Sequence, residues 1–211
     1  MPTIEQAQAW YAQADSVHDF DHIMRVYRMA ERLQQQEGGD LEIIHAAALL
    51  HDAEGGAPGS ETRKNHHLYS AEFAQRALTG EGWAQERIEA VKHCIRAHRF
   101  RGKEEAPQTI EAKIIFDADK LDVLGAIGIV RVVAYATLNH QPTYAEPSSQ
   151  FLSSGEKMPG EPHSAYHEYL FKLRKIQERL FTATARQLAA ERDTYIATFF
   201  QRLGDEIMGK A

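Results

Sequence analysis

Histidine and aspartate residues occur in this chain at points where apolar helical stretches end. In the stretch LLHDAEGG, residues 49–56, a run of apolar residues ends in His51 and Asp52. Neutral imidazole and carboxylate together form a ligand set that suits Mn²⁺, Fe²⁺, Mg²⁺ or Zn²⁺. Successive helical residues point about 100° apart, but near a helix end both side chains can reach one ion lying beyond it. The pair is therefore a candidate for part of a metal site.

Two more candidate ligands lie far from this pair in the sequence. His22 lies on the apolar face of a predicted helix, and Asp119 lies in a segment that is apolar on almost every side, residues 109–136. A buried carboxylate or charged histidine without a partner costs several kcal/mol, so such groups must satisfy one another or bind a metal. We therefore predict a divalent-metal site that keeps positions open for water and has four protein ligands: His22, His51, Asp52 and Asp119.

The elements that must position these residues are predicted to be helices. Helical periodicity recurs along nearly the whole chain, with no alternating strand pattern and no internal repeat. Asp40 is the predicted N-cap of the helix that leads to His51. Other predicted helices include residues 3–14, a single long buried helix over 109–136, and two C-terminal helices over 163–189 and 190–208.

The predicted fold class is all-α, with one domain over residues 1–211. Its metal-site core is expected at residues 18–130, and the C-terminal helices, residues 163–208, are expected to pack on the same domain. Residues 139–162 contain four prolines and many small polar side chains, which predicts a long loop or lid.

Composition limits the classes of function. The 211 residues are 43% hydrophobic and 26% charged, as in ordinary globular proteins. The net charge of -6 argues against a nucleic-acid polymer as partner. A single cysteine, Cys94, excludes an internal disulfide framework and fits a reducing compartment. We find no export signal and no apolar run long enough for a membrane span, so we expect a soluble, cytoplasmic protein without a membrane partner.

The segments around the four candidate ligands are similar to a known signature. HIMRV, LLHDAEG and DADKLD resemble the four-ligand pattern of the HD-domain metal-dependent phosphohydrolase superfamily. Similarity to a branch of small bacterial HD proteins extends over residues 18–205 and includes SAEFAQRAL and IRAHRF. The resemblance implies an HD-type helical bundle that hydrolyses phosphate esters or anhydrides, commonly of nucleotides. Some members of the nearest branch release pyrophosphate from nucleoside triphosphates.

The resemblance also implies the cofactor and the mechanism. We expect one divalent ion per chain, with Mn, Fe or Mg foremost and Zn or Ni as further candidates. A metal-activated water would attack phosphorus in line with the leaving oxygen. Asp52 is expected to serve catalysis as a ligand. Glu54, just past the pair, is a candidate general base, and an exposed loop acid is the alternative interpretation.

Three aspartates compete for the last ligand position. The superfamily pattern of AD followed by a basic residue, Leu and a polar residue selects Asp119 within ADKLD, and Asp117 stays the alternative. Asp122, one turn further on the same face, is then expected to hydrogen-bond to a ligand or to a water. Arg25, one turn after His22, is expected to contact phosphate or to hold Asp119 through a forked pair of hydrogen bonds.

Basic and histidine side chains elsewhere are candidates for substrate binding. Lys64 lies in the segment after the HD pair, where substrate contacts often occur. His67, which the resemblance favours over His66, and His98, which closes an apolar stripe, would complete a two-metal site if both point inward. We interpret the basic run RAHRFRGK, which includes Arg99, as cations favoured at a helix C-terminus.

These observations predict a metal-dependent phosphohydrolase that acts on a nucleotide or another small phosphorylated metabolite. Two alternatives stay open at this stage. One is a nucleotide-responsive binding module whose catalysis has decayed, and the other is an HD-type di-iron oxygenase, which His67 and His98 permit. A homodimer is also left open.

Overall fold

The computed structural model describes residues 1–11, 20–54, 61–100 and 105–211, and of residues 61–63 only the backbone. Every regular element in these ranges is a helix, which confirms the all-α prediction. The chain forms two compact units, which we call the N-terminal unit (Met1–Asp119 with Leu180–Ala185) and the C-terminal unit (Lys120–Arg179 with Arg186–Ala211). A single domain over the whole chain stays a prediction.

The N-terminal unit consists of helices whose ends are explained by local chemistry. They are α1 (Ile4–Trp10), α2 (Phe20–Glu37), α3 (Leu41–Leu50), α4 (Glu61–Gly80), α5 (Gln85–Ala97) and α6 (Ile110–Leu121), the last through Asp119. Gly38 and Gly39 have positive φ and end α2. Asp40 then caps α3, since its carboxylate accepts hydrogen bonds from the backbone N–H groups of Glu42 and Ile43, as predicted.

Helix α3 lies in the core of this unit and leads to the HD pair. All its residues from Ile43 to Leu50 are buried, and it packs against α2 and α5. Burial of a Leu or Ile side chain contributes about 1.5–3 kcal/mol, so α3 is held rigidly in place. His51, the C-cap residue of α3, is therefore carried by one of the best-packed segments of the chain.

Two other predicted stripes are confirmed by burial. On α2, His22 is buried together with Val26, Ala30 and Leu33. On α5, Ile88, Val91 and Ile95 are buried, and His98 is the C-cap residue. The period of the apolar residues therefore correctly predicts that both histidines lie on inward faces.

The single helix predicted over residues 109–136 is wrong. Helix α6 ends at Leu121, and α7 (Gly125–Leu138) begins after a break. Gly125 has a φ of +69°, which favours glycine, and a Cβ at Gly128 would lie 2.3 Å from the carbonyl oxygen of Val123. The two glycines allow the chain to turn at residues 122–124. The apolar pattern continues through this turn and therefore does not predict it.

The C-terminal unit contains shorter helices and one long one. After α7 come α8 (Ser149–Ser154), α9 (Ala165–Phe171), two 3₁₀ turns (Leu173–Lys175 and Gln177–Arg179) and α10 (Ala183–Ile207), of which the first three residues belong to the N-terminal unit. The predicted boundary near residue 190 is wrong, because no glycine or proline interrupts α10 there. Among the described residues no single helix is long and apolar enough to span a membrane, and α6 with α7 reaches that length and composition only as a bent pair.

Residues 139–162 form the predicted long connection, which includes α8. The carboxylate of Glu161 accepts several hydrogen bonds within it. Glu161 accepts hydrogen bonds from the backbone N–H and the hydroxyl of Ser148 at 2.8 and 2.7 Å, and from the backbone N–H of Met158 at 2.7 Å. These hydrogen bonds lower the pKa of Glu161 to about 2, and those from Ser148 have the largest effect. The connection is thus ordered by its own polar groups, and a role as a lid stays a prediction.

Candidate metal centre

Six candidate ligands in the N-terminal unit form two groups of three. The first group is His22, His51 and Asp119, and the second group is Asp52, His66 and His98. Within each group the potential ligand atoms all lie within 4.8 Å of one another. The structure thus brings three of the four predicted ligands together, whereas Asp52 joins two histidines from other helices. The groups adjoin, because the ring centroids of His51 and His98 are 5.2 Å apart.

The first group has the spacing of ligands around one ion. Nε2 of His22 lies 3.6 Å from Oδ1 of Asp119, and the rings of His22 and His51 are 5.5 Å apart, edge to face. Ligands of an octahedral ion at about 2.1 Å lie about 3–4 Å from one another. His22 and His51 are buried and the side chain of Asp119 is 17% exposed. The group therefore fits a cation that keeps contact with solvent through one side.

A hydrogen bond to its own helix fixes the tautomer of His51. Its Nδ1–H donates to the carbonyl oxygen of Ala48 at 2.9 Å, so the neutral ring carries its lone pair on Nε2. That buried Nε2 has no hydrogen-bond partner among the described residues. Burial lowers the pKa of His51, which favours the neutral form that metals bind. A fully buried nitrogen acceptor without a donor is the feature that a cation would satisfy.

The second group is linked by short contacts. Nε2 of His66 lies 3.0 Å from Oδ1 of Asp52 and 3.1 Å from Nε2 of His98, and the distance from His98 to Asp52 is 3.9 Å. His98 repeats the arrangement of His51, since its Nδ1–H donates to the carbonyl of Ile95. Burial first, and then the neighbouring His51 and His66, lower the pKa of His98 well below its usual range. His98 is thus neutral, with its lone pair on Nε2 toward His66.

Arg99 determines the hydrogen-bonding role of His66. A guanidinium N–H of Arg99 donates to Nδ1 of His66 at 3.0 Å. Because arginine has no acceptor, Nδ1 carries the lone pair and the neutral ring carries its proton on Nε2. The Nε2–H of His66 therefore donates to Nε2 of His98, and the same nitrogen lies in close contact with Oδ1 of Asp52. Hydrogen bonds thus run from Arg99 through His66 to His98.

The sequence patterns single out neither of these two residues. They favour His67 over His66 and indicate only a helix-end cation at Arg99. The spacing of buried residues along α4 could have indicated His66. Every fourth residue from it onward is buried, namely His66, Ser70, Ala74 and Leu78. His67 is also buried, but it lies outside both groups because neighbours on a helix point about 100° apart.

The predicted basic residues lie on two of the helices that carry the groups. Arg25 is half-buried on α2, one turn after His22, and Lys64 is exposed on α4, two residues before His66. Their contacts with substrate stay predictions.

Of the three competing aspartates, only Asp119 enters a ligand group among the described residues. Asp117 is fully buried and accepts hydrogen bonds from the backbone N–H groups of Phe181 and Thr182 and from the Thr182 hydroxyl, at 2.9, 2.7 and 2.7 Å. Asp122 belongs to the C-terminal unit, where its carboxylate pairs with Arg131. Asp117 and Asp122 thus each have a partner in the structure, and the ligand or water contacts considered from the sequence stay predictions.

Glu54, the predicted general base, lies outside both groups. Its side chain is 45% exposed, and Oε1 lies 3.7 Å from a guanidinium nitrogen of Arg76 on α4. Its backbone N–H donates to the Ser70 hydroxyl at 3.1 Å. The carboxylate therefore has the surroundings of a surface ion pair, and the role as general base stays a prediction that a mutation can decide.

We expect Glu54→Gln to change turnover by less than about twofold, whereas loss of a general base typically costs about 10²–10⁴-fold. The measurement is the steady-state rate with the best substrate found. Arg76→Ala is the matched control, because it breaks the same surface pair from the other side. A hundredfold loss for Glu54→Gln with a normal rate for Arg76→Ala would restore Glu54 as the base.

Comparison with known proteins identifies the family. The HD domain profile matches residues 19–124, a range that contains both ligand groups. The chain belongs to the HD-domain family. The resemblance noted from the HD pair is thereby confirmed.

Relatives and solved structures match nearly the whole chain. The uncharacterized protein YpgQ of Bacillus subtilis (strain 168) is 30% identical over 212 residues, covering 97% of this chain and 94% of YpgQ. The crystal structure of B. subtilis YpgQ in complex with ADP has a TM-score of 0.75 at 29% identity, covering 99% of this chain and 100% of that one. An HD-superfamily hydrolase from Bacillus thuringiensis has a TM-score of 0.69 at 29% identity, covering 96% and 93%. The fold is that of the HD-superfamily hydrolases.

Proposed function

We propose that this HD-domain protein is a metal-dependent phosphohydrolase that acts on a nucleotide or another small phosphorylated metabolite. The observation that carries the proposal is the buried, unpartnered Nε2 of His51 beside His22 and Asp119, a set of donors that a divalent cation would satisfy. The complex of the relative YpgQ with ADP supports a nucleotide as the ligand class.

In this proposal the metal is held by His22, His51 and Asp119, with Asp52 as the fourth ligand. A bound Mn²⁺, Fe²⁺ or Mg²⁺ ion would supply Lewis acidity toward a phosphoryl oxygen and a water of lowered pKa. The buried imidazoles exclude water on the protein side, and the partly exposed Asp119 marks the side open to substrate.

The second group contributes hydrogen-bond donors and positive charge to the proposed site. Nε2 of His66 lies 3.0 Å from Oδ1 of Asp52 and donates to Nε2 of His98. The half-buried guanidinium of Arg99 carries a permanent positive charge beside the cluster. A planar guanidinium matches phosphate oxygens, so Arg99 joins Arg25 and Lys64 as a candidate for holding the substrate.

The bond from Arg99 to His66 favours one metal ion per chain. A second ion in the second group would need the lone pair of Nε2 of His66, which carries the proton while Arg99 donates to Nδ1. We expect wild-type protein saturated with Mn²⁺ to contain one ion per chain by mass spectrometry of the metal. Arg99→Ala is expected to raise this toward two.

Arg96→Ala is the control for this count, because Arg96 pairs with Glu105 instead of His66. Two ions in the wild-type protein, or one ion in Arg99→Ala, would contradict the role given to Arg99. Two irons per chain with oxygen consumption would instead support the di-iron oxygenase alternative.

The proposed activity is tested by a substrate screen. Protein freed of metal and then loaded with Mn²⁺ is incubated with nucleoside mono-, di- and triphosphates, and released phosphate and pyrophosphate are measured separately. We expect release that depends on the added metal, and the product distinguishes cleavage of a monoester from cleavage of an anhydride. If no nucleotide or other phosphorylated metabolite is hydrolysed with any divalent ion, while nucleotides still raise the melting temperature, a binding module is the better description.

A further inference from the structure

Tyr11 connects the first helix of the chain to the end of α3. It is the C-cap residue of α1, it is 6% exposed, and its hydroxyl donates to the carbonyl oxygen of Leu49 at 2.8 Å. Residue 11 lies before the segment that the HD domain profile matches, residues 19–124. The contact therefore joins a residue outside the matched segment to the helix that leads to the HD pair.

The contact completes the hydrogen bonding at the end of α3. The last carbonyl groups of a helix lack partners within the helix. Here the carbonyl of Ala48 accepts from Nδ1 of His51, that of Leu49 from the Tyr11 hydroxyl, and that of Leu50 from the backbone N–H of Ala53. The Tyr11 bond thus lies between the two bonds that set the conformation of His51 and Asp52.

The Leu49 carbonyl that accepts this bond lies close to the HD pair in the chain. Leu49 lies two residues before His51 and three before Asp52, in the last turn of α3. One hydrogen bond thus connects the side chain of Tyr11 to the backbone that leads into the HD pair.

The ring that carries this hydroxyl is fixed by apolar packing. Tyr11 belongs to a buried cluster with Ala7, Ile23 and Leu49, and Tyr27 packs against the edge of that cluster. Removal of the hydroxyl alone would leave this packing intact. The packing of the Tyr11 ring and the hydrogen bond of its hydroxyl can therefore be tested separately.

We propose that Tyr11 is a positioning residue, which fixes the orientation of His51 and Asp52 for metal binding through its hydroxyl. This inference rests on the proposed function, because it assumes that the HD pair binds a cation. Ligands must be held within about 0.5 Å of their productive positions, and outer hydrogen bonds supply that restraint. α1 therefore contributes to the metal centre without providing a ligand.

The test compares Tyr11→Phe with Tyr27→Phe, which removes one hydroxyl at the edge of the same cluster. For Tyr11→Phe we expect the dissociation constant for Mn²⁺ to rise about 10–100-fold. We also expect kcat to fall with little change in KM, and the visible absorption spectrum of the Co²⁺-loaded protein to change. Tyr27→Phe should match the wild type in all three measurements. A purely structural role for Tyr11 would lower the melting temperature and leave the spectrum of the folded protein unchanged.

A second variant keeps the proposal falsifiable if Tyr11→Phe folds poorly. 4-Aminophenylalanine at position 11 restores an N–H donor on the same ring, so we expect it to recover most of the Mn²⁺ affinity. The proposal is overturned if Tyr11→Phe binds Mn²⁺ like the wild type, or if the amino variant binds no better than Tyr11→Phe. Failure of the wild type to bind any divalent ion would instead refute the proposed function.

Discussion

His51→Gln is expected to abolish metal-dependent hydrolysis, with a loss of at least about 10³-fold in turnover. Metal catalysis contributes several kcal/mol, and each 1.4 kcal/mol or so corresponds to a factor of ten in rate. Glutamine keeps much of the volume and can still bond to Ala48, but it lacks the buried Nε2 lone pair. Titration calorimetry with Mn²⁺ and the nucleotide assay together measure the effect, and we expect binding to weaken in parallel with activity.

His45→Gln is the matched control for this variant. His45 lies on the same helix, it is buried, and burial lowers its pKa as it does for His51. Its ring stacks on Tyr27 at 4.3 Å, and it belongs to neither ligand group. We therefore expect His45→Gln to keep metal binding and turnover near the wild-type values. Equal losses in both variants would mean that α3 needs its histidines for folding and would remove the main support for the metal centre.

Asp117→Ala is expected to destabilise the protein by about 3–5 kcal/mol, because two backbone N–H groups and a hydroxyl lose a buried charged acceptor. The hydroxyl of Thr182, which donates to Asp117, also accepts from the backbone N–H of Ala185 at the start of α10. The carboxylate thus lies at a helix N-terminus, where negative charge is favoured. For a chain of this size we expect the melting temperature to fall by about 10 °C.

Asp119→Ala is expected to differ from Asp117→Ala in its effects on metal binding and stability. Asp119 lies two residues further along α6, but its side chain is partly exposed and belongs to the first group. We expect this variant to lose Mn²⁺ binding while its free energy of unfolding without metal changes by about 1 kcal/mol or less. Thermal unfolding without metal and calorimetry with metal give the two values. The reverse pattern, with Asp117→Ala stable and unable to bind Mn²⁺, would make Asp117 the ligand.

The inward faces were predictable from the sequence because apolar residues repeat with the period of a helix. That repeat located His22, His51 and His98 on buried faces of α2, α3 and α5, where the structure has them. Residue types then suggested a cation, since imidazole and carboxylate cannot be buried alone without cost. The all-α class and the HD-domain family followed from the same stretches.

Other features depend on contacts between distant segments, which a periodic pattern does not report. The break after Leu121 depends on glycines that let the backbone turn, although the apolar pattern continues through it. The pairing of Arg99 with His66 joins α4 to the end of α5, and the partners of Asp117 lie more than sixty residues away in the chain. Tyr11 likewise contacts α3 across a separation that no local signal reveals.

His51 and His98 each bond one ring nitrogen to a carbonyl of the helix that they close. This hydrogen bond satisfies a carbonyl oxygen in the last turn of the helix. It also places the ring proton of the neutral histidine on Nδ1. As a result, the rings of His51 and His98 keep the lone pair on Nε2, the form in which neutral imidazole binds a metal ion. Binding of a divalent ion would then need little rearrangement of the backbone. Removal of that ion by a chelator would leave the C-terminal ends of α3 and α5 intact.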